Sequence, residues 1–202
     1  DDFDDVVVEE EKPLETKRNT ALDQMLENIS NDYSVFVELW NSKQEDYFKL
    51  YETFVKRKLD FSVTPDVIET YLQELDLNQE FGSMCFQAFS SMLVQNAYDQ
   101  EHNDFNLPVL MTEAEESQIV PVAHTYYFLS GTKERPINLT INGNLATSGC
   151  WRLQNANVRY TTSSTHGCTR RCVNSKIIIE NDAGLFSAIM SEGCEVYIHG
   201  RI

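Results

Sequence analysis

Apolar residues recur three and four positions apart over most of the first hundred residues, then give way to alternation at period two. The first pattern predicts helices and the second predicts strands. Leu22, Met25, Leu26 and Ile29 form one helical face, which Thr20 is placed to cap. Asn31 and Asp32 interrupt the stripe, and Ser34 restarts it through Val35, Phe36, Leu39 and Trp40. Ser42 followed by Glu45 has capping-box form, hydroxyl and carboxylate each satisfying a free backbone donor. Behind it come Tyr47, Leu50, Tyr51, Phe54 and Leu59, with Lys56, Arg57 and Lys58 in a last turn where positive charge suits the helix dipole. Thr64 before Pro65 marks another start, leading Val67, Ile68, Tyr71, Leu72 and Leu75. A last helix is expected over 80–98, with Phe81, Met84, Cys85, Ala88, Phe89, Met92 and Leu93 inward. Such stripes predict the core of a bundle rather than a cofactor site. Residues 100–108 read as a polar loop, and 119–129, rich in β-branched and aromatic residues, as one or two strands.

Beyond residue 136 the chain repeats every 19 residues without a gap. The copies are INLTINGNLATSGCWRLQN over 137–155, ANVRYTTSSTHGCTRRCVN over 156–174, SKIIIENDAGLFSAIMSEG over 175–193, and CEVYIHGRI, the start of a fourth, over 194–202. Column three holds Leu139, Val158, Ile177 and Val196; column five holds Ile141, Tyr160, Ile179 and Ile198. That alternation is a strand with one face buried. Column seven (Gly143, Thr162, Asn181, Gly200) and column nineteen (Asn155, Asn174, Gly193) favour residues that tolerate turns and left-handed backbone. Column thirteen is small: Gly149, Cys168 and Ser187. A single copy cannot bury its own inner face, so the repeat predicts stacked coils about 4.8 Å apart. The expected fold class is therefore α+β: an N-terminal α-helical bundle followed by a C-terminal right-handed parallel β-helix of 19-residue coils. The expected divisions are an acidic tail or linker over 1–19, a helical domain over 20–108, connecting strands over 109–136 and the β-helix over 137–202.

The third copy, with IIIENDAG over 177–184, MSEG over 190–193 and then VYIHG over 196–200, resembles the GXGXG β-helix. That domain closes the large subunit of glutamate synthase and forms one of the subunits of formylmethanofuran dehydrogenase. Asn181 and Ser187 depart from it, standing where the family often has glycine. A competing resemblance is to the cyclase-associated-protein or tubulin-cofactor-C type of β-helix. The GXGXG resemblance implies a structural element supporting catalytic neighbours, and it implies scaffolding rather than chemistry for this chain.

Charge separates the two patterns. The net charge is −16, made up of −5 over residues 1–19, −13 over 20–136 and +2 over 137–202. An acidic chain repels free nucleic acid and anionic membranes, so neither is an expected partner. No apolar run has membrane-spanning length. Five cysteines, four of them after residue 149, do not form a small disulfide framework, and a reducing cytoplasm is expected.

Few residues suggest chemistry. His166, Cys168 and Cys172 form a weak metal-like cluster, with Cys150 on the adjacent coil. Zinc wants about four nitrogen or sulfur ligands, and the plainer account is small core residues in ladders, so no metal is expected. Arg152 and Arg171 share column sixteen and should stack, with Arg170 and Arg159 nearby. Stacked like charges repel, which points to an anion or carboxylate beside them; the functional reading is a docking patch for an acidic partner, and the plainer one a solvated surface or an internal contact with the acidic helical half. No phosphate-binding loop or nucleophile elbow occurs, and no cofactor is expected. The resulting expectation is a non-catalytic structural or protein-interaction module, a scaffold or subunit of a larger assembly. The alternative is a fragment or subunit of an amidotransferase or oxidoreductase-type enzyme carrying a GXGXG β-helix. Because the fourth copy stops mid-coil, the last coil, residues 194–202, is the expected contact with a protein partner or a second copy.

Overall fold

A computed structural model describes residues 20–43, 46–74, 84–108, 125–142, 149–162, 164–166, 169–185 and 189–202. Four helices come first: α1 (Thr20–Asn41), α2 (Tyr47–Val55), α3 (Pro65–Glu74) and α4 (Met84–Asp99). Helix α1 runs unbroken through Asn31 and Asp32. There the Asp32 carboxylate leaves its own backbone alone and accepts two hydrogen bonds from Arg57, both at 2.7 Å. Ser34 caps no new helix either, its hydroxyl donating to the Ser30 carbonyl at 3.2 Å. Ser42 closes α1, donating to the Leu39 carbonyl at 2.7 Å, while Asp46 caps α2 by accepting from the Phe48 N–H at 2.9 Å. Lys56 is the C-cap of α2, so the basic run lies past the helix instead of in its last turn. Helix α3 begins at Pro65 as the Thr64–Pro65 signal predicts, with the Ile68 N–H on the Thr64 carbonyl at 3.1 Å.

The strands are β1 (Asp104–Pro108), β2 (Tyr126–Tyr127), β3 (Ile137–Asn142), β4 (Cys150–Trp151), β5 (Ala156–Tyr160), β6 (Ser164–His166), β7 (Thr169–Arg170), β8 (Lys176–Ile179), β9 (Ala183–Leu185) and β10 (Glu195–Ile198). Among the described residues all pairing is parallel, in a five-stranded sheet ordered β1-β3-β5-β8-β10, a three-stranded sheet ordered β2-β4-β7, and the pair β6-β9. Leu139 pairs with Val158, Val158 with Ile177 and Ile177 with Val196, each step one 19-residue repeat. Leu139, Val158, Ile177, Ile141, Tyr160 and Ile179 are buried, while Val196 on the edge strand β10 is 40% exposed.

One further rung precedes the repeat. β1, in the stretch expected to be a loop, pairs with β3 so that Phe105 lies against Leu139 and Leu107 against Ile141. β2 pairs with β4, and Ser130 bridges Gln154. In this first rung the spacing to the next level is 34 residues at Asp104–Asn138 and 24 at Gly131–Asn155, in place of 19.

Helix α4 joins the helices to these sheets. It is buried on nearly every side, including Gln87, Ser90, Ser91, Gln95 and Asn96. Its polar side chains take the place of a neighbouring strand. The Ser91 hydroxyl accepts from the Tyr127 N–H at 2.9 Å. The Gln95 amide accepts from the Ser130 N–H at 2.8 Å and donates to the Ser130 carbonyl at 3.2 Å. The Tyr98 hydroxyl accepts from the Thr132 N–H at 3.0 Å. Residues 91, 95 and 98 lie on one helical face, so that face satisfies backbone groups that Tyr127 of β2 and the following Ser130 and Thr132 would otherwise leave unpaired. A second face of α4 holds the α2–α3 connection: Asn96 accepts from the Leu59 N–H at 2.9 Å and donates to the Arg57 carbonyl at 2.7 Å.

The expected α+β arrangement, a helical bundle followed by a β-helix, is corrected by these contacts. The fold is α/β, four helices with two parallel sheets of five and three short strands and the pair β6-β9 beside them. The reason is that β1 and β2, which open both sheets, lie before the repeat and pack on α3 and α4. One buried cluster consequently runs from Ile29 and Phe36 through Phe89 and Tyr126 to Ile177 and Ile179, with no separate core for the helices.

Candidate docking site

The rungs turn two corners that share an unusual backbone. At one, Asn155, Asn174 and Gly193 have φ of 48°, 48° and 62°, in residue types that adopt the left-handed region readily. At the other, Phe128, Arg152, Arg171 and Met190 have φ of 57°, 55°, 53° and 58°. A left-handed conformation costs such residues about 1–2 kcal/mol each. Large side chains thus occupy positions where glycine would carry no steric strain.

The second corner displays two columns. Tyr127, Trp151 and Arg170 pair along the three-stranded sheet, and Arg170 bridges Ile189; Phe128, Arg152, Arg171 and Met190 follow them. Each arginine reaches back over an aromatic ring. The Arg152 guanidinium carbon lies 5.4 Å from the Phe128 ring centre, and those of Arg170 and Arg171 lie 5.5 and 5.7 Å from that of Trp151. Helix α2 completes the surface, with Phe48 5.3 Å from Trp151 and Tyr51 stacked on Tyr127 at 4.2 Å. Phe48 is 43% exposed and Met190 70%. Burial pushes the phenols of Tyr51, Tyr126 and Tyr127 above the usual tyrosine range, so they remain neutral.

The four arginines singled out from the sequence separate into two groups. Arg152, Arg170 and Arg171 share this corner, and among the described residues none of them has a carboxylate within 4.0 Å. Arg159 lies elsewhere, on the outward face of β5, with its Nε on Glu180 at 2.7 Å; the other Glu180 oxygen meets His199 Nδ1 at 2.9 Å. That contact, first with His199 and then with Arg159, holds the Glu180 carboxyl below its usual range.

Of the metal-like cluster, Cys172 is a buried interior residue and Cys150 is buried and paired with Thr169. His166 falls in β6, and Cys168 lies outside the described residues. Among the described residues no three His, Cys, Asp or Glu side chains gather as metal ligands. None of the described helices is long and apolar enough to cross a membrane. A groove of about 450 Å³ along the opposite corner is lined by Asn155, Asn157, Asn174, Lys133, Lys176 and Glu195 among others. Its amide-rich lining with charges of both signs lacks the apolar walls usual in small-molecule sites.

Sequence reasoning found the arginines by column but missed their aromatic partners. Trp151 was legible in principle, because it sits 19 residues before Arg170 and is paired with it. Phe48 carried no signal, since only the packing of α2 on the first rung brings it there. Comparison with protein families, with curated proteins and with solved structures gives no match to this chain.

Proposed function

We propose that the protein is a non-catalytic interaction module whose arginine–aromatic corner docks an acidic segment of a protein partner. One observation carries the reading: Arg152, Arg170 and Arg171 lie over Phe128 and Trp151 with no described carboxylate to neutralise them. Arginine and tryptophan in contact, beside an exposed Phe48 and Met190, are the residue types that concentrate binding energy at interfaces. The strain kept at φ of 55° and 53° supports a use for those two arginine side chains beyond folding. Residues 137–202 carry +2 within a chain of −16, so an acidic partner is steered to this part of the surface and away from the remainder. The reading includes a reducing compartment such as the cytoplasm, supported by five cysteines whose spacing does not form a small disulfide framework.

The test is titration of a short glutamate-rich peptide carrying one phenylalanine, followed by the indole resonance of Trp151. Changing Arg152, Arg170 and Arg171 together to Gln should weaken binding by about tenfold or more, on the order of 1.4 kcal/mol. Raising salt should weaken it as well, since screening acts beyond about 10 Å at 0.1 M. Equal affinity of the variant and the unchanged chain refutes the proposal.

A further inference from the structure

We infer that the acidic segment docked on this corner carries a phosphomonoester, as a phosphorylated serine, threonine or tyrosine, held by Arg152 and Arg171 with Arg170 beside them. The inference rests on the docking reading above and names its ligand chemistry. Arg152 and Arg171 occupy equivalent positions on adjacent rungs: the Arg152 N–H donates to the Arg170 carbonyl at 2.8 Å, and the Arg171 N–H to the Ile189 carbonyl at 3.0 Å. Their side chains therefore leave the backbone one strand spacing apart, about 4.8 Å. Arg170 directly precedes Arg171, and both guanidinium carbons lie within 5.7 Å of the Trp151 ring centre.

A carboxylate brings two oxygens and a single charge, and the fork of one guanidinium can engage both oxygens. Satisfying all three arginines with carboxylates would require three like charges crowded at strand spacing, where they repel. A phosphomonoester places about −1.5 to −2 charges and three acceptor oxygens on one centre, so neighbouring arginines can share it. The exposed Phe48 and Met190 flank the cationic corner with apolar surface, which suits side chains on either side of a modified residue. The net charge of −16 disfavours a nucleic acid or an anionic membrane as the source of the phosphate, because a polyanion is repelled along its length and a short peptide is not.

The experiment uses the full chain and immobilised peptide pools that are degenerate except for a central phosphoserine, with matched pools bearing serine or glutamate there. Retention on the phosphoserine pool should exceed that on the glutamate pool by about tenfold. It should be lost in an Arg152→Gln, Arg171→Gln double variant whose thermal unfolding is unchanged, and be kept in Arg159→Gln. Equal retention on the glutamate and phosphoserine pools overturns the phosphate inference and leaves the docking reading standing. Retention on neither, together with failure of the glutamate-rich peptide above, overturns both. Tighter binding of a 5′-phosphorylated oligonucleotide or of phosphatidylserine vesicles, lost in the same double variant, assigns the corner to those polyanions and also overturns the inference.

Discussion

Replacing Gln95 by Met tests whether α4 acts as a substitute strand. Methionine keeps the length and volume of glutamine but can neither accept from the Ser130 N–H, now 2.8 Å from the Gln95 amide oxygen, nor donate to the Ser130 carbonyl, now at 3.2 Å. A buried donor left without an acceptor costs about 1–3 kcal/mol. Ser130 is an exposed residue, so water recovers part of the loss, and about 1–2 kcal/mol remains. For a chain of this size each kcal/mol corresponds to about 2–4 °C, so the unfolding midpoint should fall by about 2–8 °C. Gln73 is the control, because among the described residues its amide bonds to Glu69 within α3 alone and lies at the surface; Gln73→Met should leave the midpoint within about 0.5 kcal/mol of the original. The assay is thermal unfolding followed at once by far-ultraviolet circular dichroism, for the helices, and by tryptophan fluorescence. Helices and sheets share one cluster, so the two signals should move together. A Gln95→Met midpoint equal to that of the control, or loss of the helical signal well before the sheets open, refutes the reasoning.

Two further predictions concern the far rungs. Gly193→Ala should destabilise by about 1–2 kcal/mol, because alanine resists a φ of 62° and its Cβ would stand 2.6 Å from Asn174 Oδ1; denaturant midpoints measure it, and a neutral result contradicts the corner geometry. Glu180 should titrate below the ordinary carboxylate range, since His199 and Arg159 favour its charged form. A depressed folded pKa means that its contribution to the outer strands is present above the unfolded pKa and fades as pH falls through the folded one. Carboxyl carbon chemical shifts against pH measure this, and His199→Ala should raise the midpoint; an ordinary midpoint in the unchanged chain contradicts the contact.

The repeat was legible because four copies keep one spacing, so that Leu139, Val158, Ile177 and Val196 fall into one column and pair as such. The first rung was hidden because its two strands are separated by residues 109–125, and residues 132–136 break its spacing again before β3. Only Phe105 and Leu107 alternate inward in β1, too short a signal to separate from a polar loop. The α/β character was lost for another reason. Ser91, Gln95 and Asn96 stand outside the apolar stripe of the helix, yet they are buried and bonded to the backbone of Tyr127 in β2, of Ser130 and of the α2–α3 connection. Hydrophobic periodicity cannot distinguish a polar residue facing water from one facing an unpaired strand. At the candidate site, column sixteen put Arg152 and Arg171 at equivalent positions, while Arg170 and Arg159 were added only because they share a coil; the structure sets Arg170 beside Arg171 and Arg159 on the outward face of β5, next to the interior Val158.

The position of α4 also gives the molecule a direction of growth. A parallel strand added to bare solvent leaves one row of its amides and carbonyls unsatisfied until its neighbour arrives. Here Tyr127 of β2 and the following Ser130 and Thr132 are met by Ser91, Gln95 and Tyr98, all earlier in the sequence. Once that level is in place, β4 and then β7 each find a finished edge, as β3, β5, β8 and β10 do on the other sheet. On the ribosome the starter emerges first, so each later level is synthesised after the one it lies on. The same logic makes damage asymmetric. A fault in the last rung removes one level from an intact stack, while a fault in α4 removes the template on which all the others are built.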